Sequence, residues 1–259
     1  MTHYGNFYEI TLALLFAVAA GLVGSFALMK RMVLAGDVIS HIALPGIGLA
    51  FMFHFNPLLG GALTLFAGTF LIWQLQKSTG LAVDAMIGVV FAGSLAIGAL
   101  LTPREDLIEA LFGSYQALSL SAFLIGAAAA LLIILAVLRY RDQLLLSLFS
   151  PEMARATSIR LSRLNLAYLL LFSLTILVGL RFMGTLLAGA LIILPAATGR
   201  RLSSHVSQFL LLSCAASVLS VAMGLLIVSI FLPTHSPGPV IVIVSALVFL
   251  AASLRPVEA

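Results

Sequence analysis

The sequence predicts an all-α, polytopic membrane protein, and three observations carry that prediction. Hydrophobic residues make up 62% of the 259 residues and charged residues only 8%, against about 45–50% and about a quarter in a soluble domain. The mean hydropathy is +1.21. The apolar residues also fall in runs of about 20, the length a helix needs to cross a hydrocarbon core about 30 Å thick. Thirteen basic and nine acidic side chains cannot coat the surface of a soluble body this size. A cytosolic globular enzyme, a disordered chain and a nucleic-acid binder are thereby excluded. The isoelectric point of about 9.6 reports which loops face the cytoplasm, not an affinity for DNA. The single cysteine, Cys214, excludes a disulfide scaffold and a thiolate metal cluster.

The expected spans follow in order, as one transmembrane domain over residues 1–259. The first runs from about Tyr8 to Met29 and ends at Lys30-Arg31. It lacks a basic leader before it, so it reads as a retained span and not a cleaved signal. The second, about Val38 to Phe55, lies between Asp37 and Asn56-Pro57. A third covers about Leu58 to Gln74 and a fourth about Ala85 to Leu101. The fifth lies near Ala122 to Leu138, before a polar, basic segment from Arg139 to Arg163. The last four are about Leu164–Leu180, Phe182–Ala197, Val206–Leu232 and Pro239–Leu254. Pro45 and Pro195 interrupt the second and seventh, so the count is eight or nine.

Nine spans with the amino terminus outside put eleven of the thirteen basic residues in the cytoplasm, leaving only Arg104 and Arg181 beyond it. The positive-inside rule selects that orientation, with a cytoplasmic carboxyl terminus, in the cytoplasmic membrane. No phosphate-binding loop, His-Glu-x-x-His or Gly-x-Ser-x-Gly motif is present. A conduit is therefore expected ahead of an enzyme, with its energy coming from a partner protein or an ion gradient.

The segment Gly36-Asp37-Val38-Ile39-Ser40-His41-Ile42-Ala43-Leu44-Pro45-Gly46 carries the chemistry. Asp37 and His41 stand four residues apart, on one face of a helix. A carboxylate oxygen and an imidazole nitrogen suit zinc, manganese or ferrous iron, and Ser40 adds a hydroxyl. Two readings fit. Asp37 caps its helix while His41 bonds a nearby carbonyl, or both contact an ion in transit, because ionisable groups in spans are costly and mark ion paths. Pro45 removes a backbone donor four residues after His41 and predicts a break there. Such breaks are tolerated where they are buried or line a wet cavity.

Within the segment 139–163, Ser150-Pro151-Glu152-Met153-Ala154-Arg155 reads as a helix start. Ser150 takes the N-cap, Pro151 the first turn, and Glu152 complements the helix dipole. A helix this short and polar is either a docking knob for a soluble partner or a surface helix on the headgroups.

These segments together resemble the membrane permease subunits of the ATP-binding-cassette importers for zinc, manganese and iron. The strongest piece is GDVISHIALPGIGLAF, similar to that family's Gly-Asp-Ala-x-Ser-His-x-x-Leu-Pro-Gly signature. DAMIGVVFAGSLAIG, LFGSYQALS, the Ser-Pro-Glu helix start, GTLLAGALIILPAAT and SPGPVIVIVSALVFL follow in order. The resemblance implies a type II importer-like fold and a homodimer with its path at the shared interface. It also implies two cytoplasmic ATPase subunits that hold the ATP, and an external metal-binding protein that delivers the ion. This chain would bind no resident cofactor, and its remaining neighbour would be membrane lipid. Asp37 and His41 match the family's acidic and histidine positions. The helix after Ser150, with Pro151, Glu152, Met153 and Arg155, looks like the coupling helix. Ser150 replaces the family's usual Asp, and Thr157-Ser158-Ile159 replaces a common Gly-containing stretch.

Other polar residues are weaker candidates. His54 sits at the outer end of the second span and His235 in an external loop, where either could meet an arriving ion. His3 and His205 read as solvated. Asp84 matches an acidic family position but suits a helix start, and Glu105, Asp106 and Glu109 form an external acidic patch. A gradient-driven transporter would want carboxylates at mid-membrane, whereas most here fall at span ends. An intramembrane metalloenzyme would want a closed ligand set, which the sequence does not offer.

Overall fold

The computed structural model describes residues 7–32, 35–101, 119–157, 159–232 and 236–254, with the backbone alone for 181–187. Among them every regular element is helical: α1 (Phe7–Met29), α2 (Ala35–Ser40), a 3₁₀ turn (His41–Ala43), α3 (Leu44–Phe53), α4 (Pro57–Thr79), α5 (Val83–Leu101), α6 (Leu120–Phe149), α7 (Pro151–Ala156), α8 (Leu161–Leu202), α9 (Val206–Phe231) and α10 (Pro237–Ser253). Seven segments are long and apolar enough to cross a membrane, counting α2 to α3 as one, and α10 is a shorter apolar helix. Hydrocarbon leaves backbone groups no other partner, so spans of this composition form helices.

α8 needs the closest look. Its 42 residues would make a straight rod about 63 Å long, twice the hydrocarbon thickness. The rod is not straight. The Tyr168 hydroxyl donates to the Val23 carbonyl at 3.0 Å, and a Cβ on the adjacent Gly24 would lie 2.9 Å from the carbonyl carbon of Ile192. Residues 168 and 192 thus reach the same level of α1. A Cβ on Gly179 would lie 3.2 Å from the Ala188 side chain, although nine residues of helix rise about 13.5 Å. The chain therefore doubles back between Gly179 and Ala188. Its first leg runs antiparallel to α1 and its second parallel to it, and the first, Leu161–Leu180, is among the segments long and apolar enough to cross a membrane.

Small residues let the helices close on one another, as is usual in lipid. α3 and α4 touch backbone to backbone: a Cβ on Gly46 would overlap the Gly60 carbonyl oxygen and lie 2.5 Å from its carbon. Thr64 bridges the pair by donating to the Ala43 carbonyl at 3.3 Å. The α3–α4 turn is set by His54, in the left-handed conformation, and by Asn56, whose side chain accepts from the Leu58 amide. Further in, the Thr69 and Ser173 hydroxyls share a buried hydrogen bond between α4 and α8. Phe16, Phe26, Tyr168 and Phe172 are the largest buried side chains, so the core sits where α1 meets the first leg of α8.

One expectation needs correction. The fifth span does not stop before Arg139 but continues as helix to Phe149. Leu144 is buried on this extension, and Arg141 donates to the Ser207 hydroxyl at 2.7 Å. Helix propensity does not end where hydrocarbon does, and leucine, arginine and glutamine all favour the continuation.

Candidate functional site

The second span breaks where the sequence places Pro45. α2 ends at Ser40, the 3₁₀ turn covers His41–Ala43, and Pro45 opens the first turn of α3. The Leu44 amide donates to the His41 carbonyl. The carbonyl that proline denies an α-helical partner is thus satisfied by a tighter i to i+3 bond.

Asp37 and His41 come together on this broken span. The His41 Nε2 lies 3.8 Å from a carboxylate oxygen of Asp37, and the Asp37 side chain is 55% exposed against 13% for His41. The His41 Nδ1 is enclosed with no hydrogen-bond partner among the described residues. Phe91 of α5 packs on the imidazole, ring centroids 5.8 Å apart. Ser40 points elsewhere: it is fully buried and donates to the Asp37 carbonyl at 2.6 Å. Its hydroxyl serves the helix, as serine in a helix often does.

Two close approaches brace the broken span, the first of them at Asp37 itself. A Cβ on Gly189, in the second leg of α8, would overlap the Asp37 amide nitrogen, with Gly36 C at 2.5 Å and Asp37 Cα at 2.7 Å. Only glycine lets α8 approach α2 so closely. On the other side, α5 leans on the break through Gly98, where a Cβ would lie 2.9 Å from the Leu44 Cβ. Sequence reasoning missed Gly189 and Phe91, since one is a glycine and the other an aromatic in an apolar run.

The remaining candidates stand apart. His54 caps α3 at its far end, exposed, and is not brought to the Asp37 pair. His235, His3, Glu105, Asp106 and Glu109 lie outside the described residues. Asp84 is exposed in the first turn of α5. Among the described residues no three of His, Cys, Asp and Glu cluster as a metal-ligand set.

At the other candidate surface, α7 is a separate six-residue helix with Pro151 in its first turn, Glu152 after it and Arg155 in its last turn. The expected Ser150 cap is not made. Ser150 has φ −145° and ψ 74°, and its side chain accepts no capping bond. Its amide instead closes the end of α6 by donating to Leu146, and its carbonyl accepts from Ala154. One residue serving two helix ends has its conformation set by both. Phe149 and Met153 are 68% and 61% exposed. Beside them a pocket of about 250 Å³ is lined by Met29, Leu148, Phe149, Arg200, Val206 and Phe209.

A polar cluster unforeseen from the sequence joins this end of the molecule. Lys30 Nζ donates to Asn165 Oδ1 at 3.2 Å, Asn165 Nδ2 donates to Gln76 Oε1 at 2.8 Å, and Lys30 lies over the Tyr168 ring. Burial holds the Lys30 pKa below the ordinary lysine value. Nearby, the Trp73 indole N–H donates to the carbonyl and hydroxyl of Ser162. The available signal was a single amide, Asn165, at the foot of an apolar helix.

A multi-pass helical membrane protein with an acid–histidine pair at a broken span belongs structurally with transport proteins. Residues 7–255 match the ABC 3 transport family, and the chain belongs to it. It is 30% identical to the manganese import system permease protein ScaB of Streptococcus gordonii, over 93% of this chain and 87% of that one. It is 29% identical to the high-affinity zinc uptake system membrane protein ZnuB of Haemophilus influenzae, covering 90% of each. The solved structure of PsaBC from Streptococcus pneumoniae in complex with Fab superposes with a TM-score of 0.80 at 26% identity, over 96% of this chain and 91% of that one.

Proposed function

We propose that this chain is the permease of an importer for a divalent transition-metal ion, zinc, manganese or iron, and that Asp37 and His41 contact the ion in transit. The observation that carries the site is the 3.8 Å gap between an exposed carboxylate and an imidazole nitrogen at a helix break. An ion about 2.1 Å from each would bridge them at an angle of about 130°. Two donors from one chain are too few to hold an ion for long. A second copy presenting the same pair would supply four, enough to shed part of the hydration shell while still releasing the ion.

The chain has no phosphate-binding loop, so the work of ATP falls to separate cytoplasmic subunits. α7 is the surface for them, with Phe149, Met153 and Arg155 as contacts. An external metal-binding protein delivers the ion. The amino terminus faces outward and the carboxyl terminus the cytoplasm, the orientation that keeps eleven of the thirteen basic residues inside. The relatives named for manganese and for zinc both support the ion class without choosing between them.

The test is reconstitution in vesicles with and without the co-purified ATPase, following manganese and zinc uptake with and without ATP. Uptake is expected only with both. Gradient-driven uptake by the chain alone would overturn the proposal. Asp37→Ala and His41→Ala are expected to abolish uptake while the complex still assembles; full uptake by both would remove the pair from the path.

A further inference from the structure

His41 is aimed at Asp37 by something other than a hydrogen bond. Histidines that bind metals almost always donate their second ring N–H to an acceptor, which fixes the ring and raises its basicity. Here Nε2 is the nitrogen toward Asp37, and Nδ1 is enclosed without a partner among the described residues. The imidazole does have an aromatic neighbour in Phe91, at 5.8 Å between centroids with the planes inclined by 50°.

Phe91 is itself well located. It is half-buried on the face of α5 that also buries Ile87, Val90 and Gly98. Gly98, two turns further along, is pressed against the break, its hypothetical Cβ at 2.9 Å from the Leu44 Cβ and 3.3 Å from the Pro45 nitrogen. The contact that registers α5 on the break therefore also registers the Phe91 ring on His41.

We infer that Phe91 is a positioning residue for His41. Its ring packs against the imidazole and holds it toward Asp37 without a hydrogen bond to Nδ1. An imidazole held this way keeps its orientation toward Asp37 by shape alone, with no second polar partner to anchor the ring. This assignment rests on the reading of Asp37 and His41 as contacts for the transported ion.

The experiment uses the complex of this chain with its ATPase, purified in detergent for equilibrium binding of zinc and manganese and reconstituted for ATP-driven uptake. Phe91→Leu keeps an apolar side chain without a ring; Phe91→Tyr keeps the ring. Phe91→Leu is expected to weaken metal binding about tenfold, the low end of what loss of an orienting group costs, and to slow uptake. Phe91→Tyr should stay within twofold of the parent. Parental affinity in Phe91→Leu, or an equal loss in Phe91→Tyr, overturns the assignment. If Phe91→Leu does not assemble, Phe91→Met takes its place with the same expected outcome. His41→Ala separates the two ideas. Intact uptake there sinks the proposed site itself, whereas lost uptake there with unchanged binding in Phe91→Leu sinks only the role of Phe91.

Discussion

Gly189→Ala tests how far the position of Asp37 depends on a missing side chain. The added methyl would overlap the Asp37 amide and sit 2.5 Å from Gly36 C and 2.7 Å from Asp37 Cα. Carbon atoms settle at about 3.5–4.0 Å, so α2 must retreat by about 1 Å. These are backbone atoms, and no rotamer change relieves the clash. Overpacking of this kind costs about 1–3 kcal/mol. The larger effect is geometric, since functional groups tolerate about 0.5 Å of error and a misplacement of about 1 Å can cost about a hundredfold. Gly61→Ala is the control, because its methyl would meet side-chain atoms and no backbone, Ile47 Cγ1 at 3.2 Å and the Ala43 Cβ at an ordinary 3.5 Å. The assay is ATP-driven manganese and zinc uptake by the reconstituted complex, beside its melting temperature. Gly189→Ala should fall to between a tenth and a hundredth of parental uptake, on the order of the factor above, while Gly61→Ala stays near parental. Parental uptake in Gly189→Ala would refute the reasoning outright.

Two further outcomes are expected. Asn165→Leu removes the acceptor of Lys30 and the donor to Gln76, leaving a half-buried amine short of a partner at a cost of about 1 kcal/mol. The melting temperature should fall by a few degrees and recover much of that in Lys30→Met/Asn165→Leu; a double variant less stable than Asn165→Leu alone would count against the cluster as drawn. Met153→Asp puts a charge on the exposed face of α7, and should reduce co-purification of the ATPase several-fold without shifting the melting temperature of the permease. Undiminished co-purification would move the docking surface elsewhere.

Much of the fold was legible because hydrocarbon leaves the backbone few options. Runs of apolar residues marked the helices, and Pro45 marked the break to within a turn. Where the physics was not that of hydrocarbon, the sequence was less informative. Nothing between Leu138 and Arg139 told the helix to stop, since propensity carries on through Leu144. Ser150 had the right chemistry for a cap but is already engaged by the end of α6. At the site, Asp37 and His41 were conspicuous as ionisable groups at a span. Gly189 and Phe91 act through what touches them across the fold, and a contact between distant residues leaves no mark on local spacing.

The Lys30–Asn165–Gln76 cluster has a mechanical consequence. Ser162 and Asn165 sit at the foot of α8, just past the six-residue α7, and their partners Trp73, Gln76 and Lys30 sit at the feet of α4 and α1. Three helix ends are thus pinned to one another by side chains and not by the apolar packing that holds their middles, so displacing any one of them must carry the other two or break these hydrogen bonds.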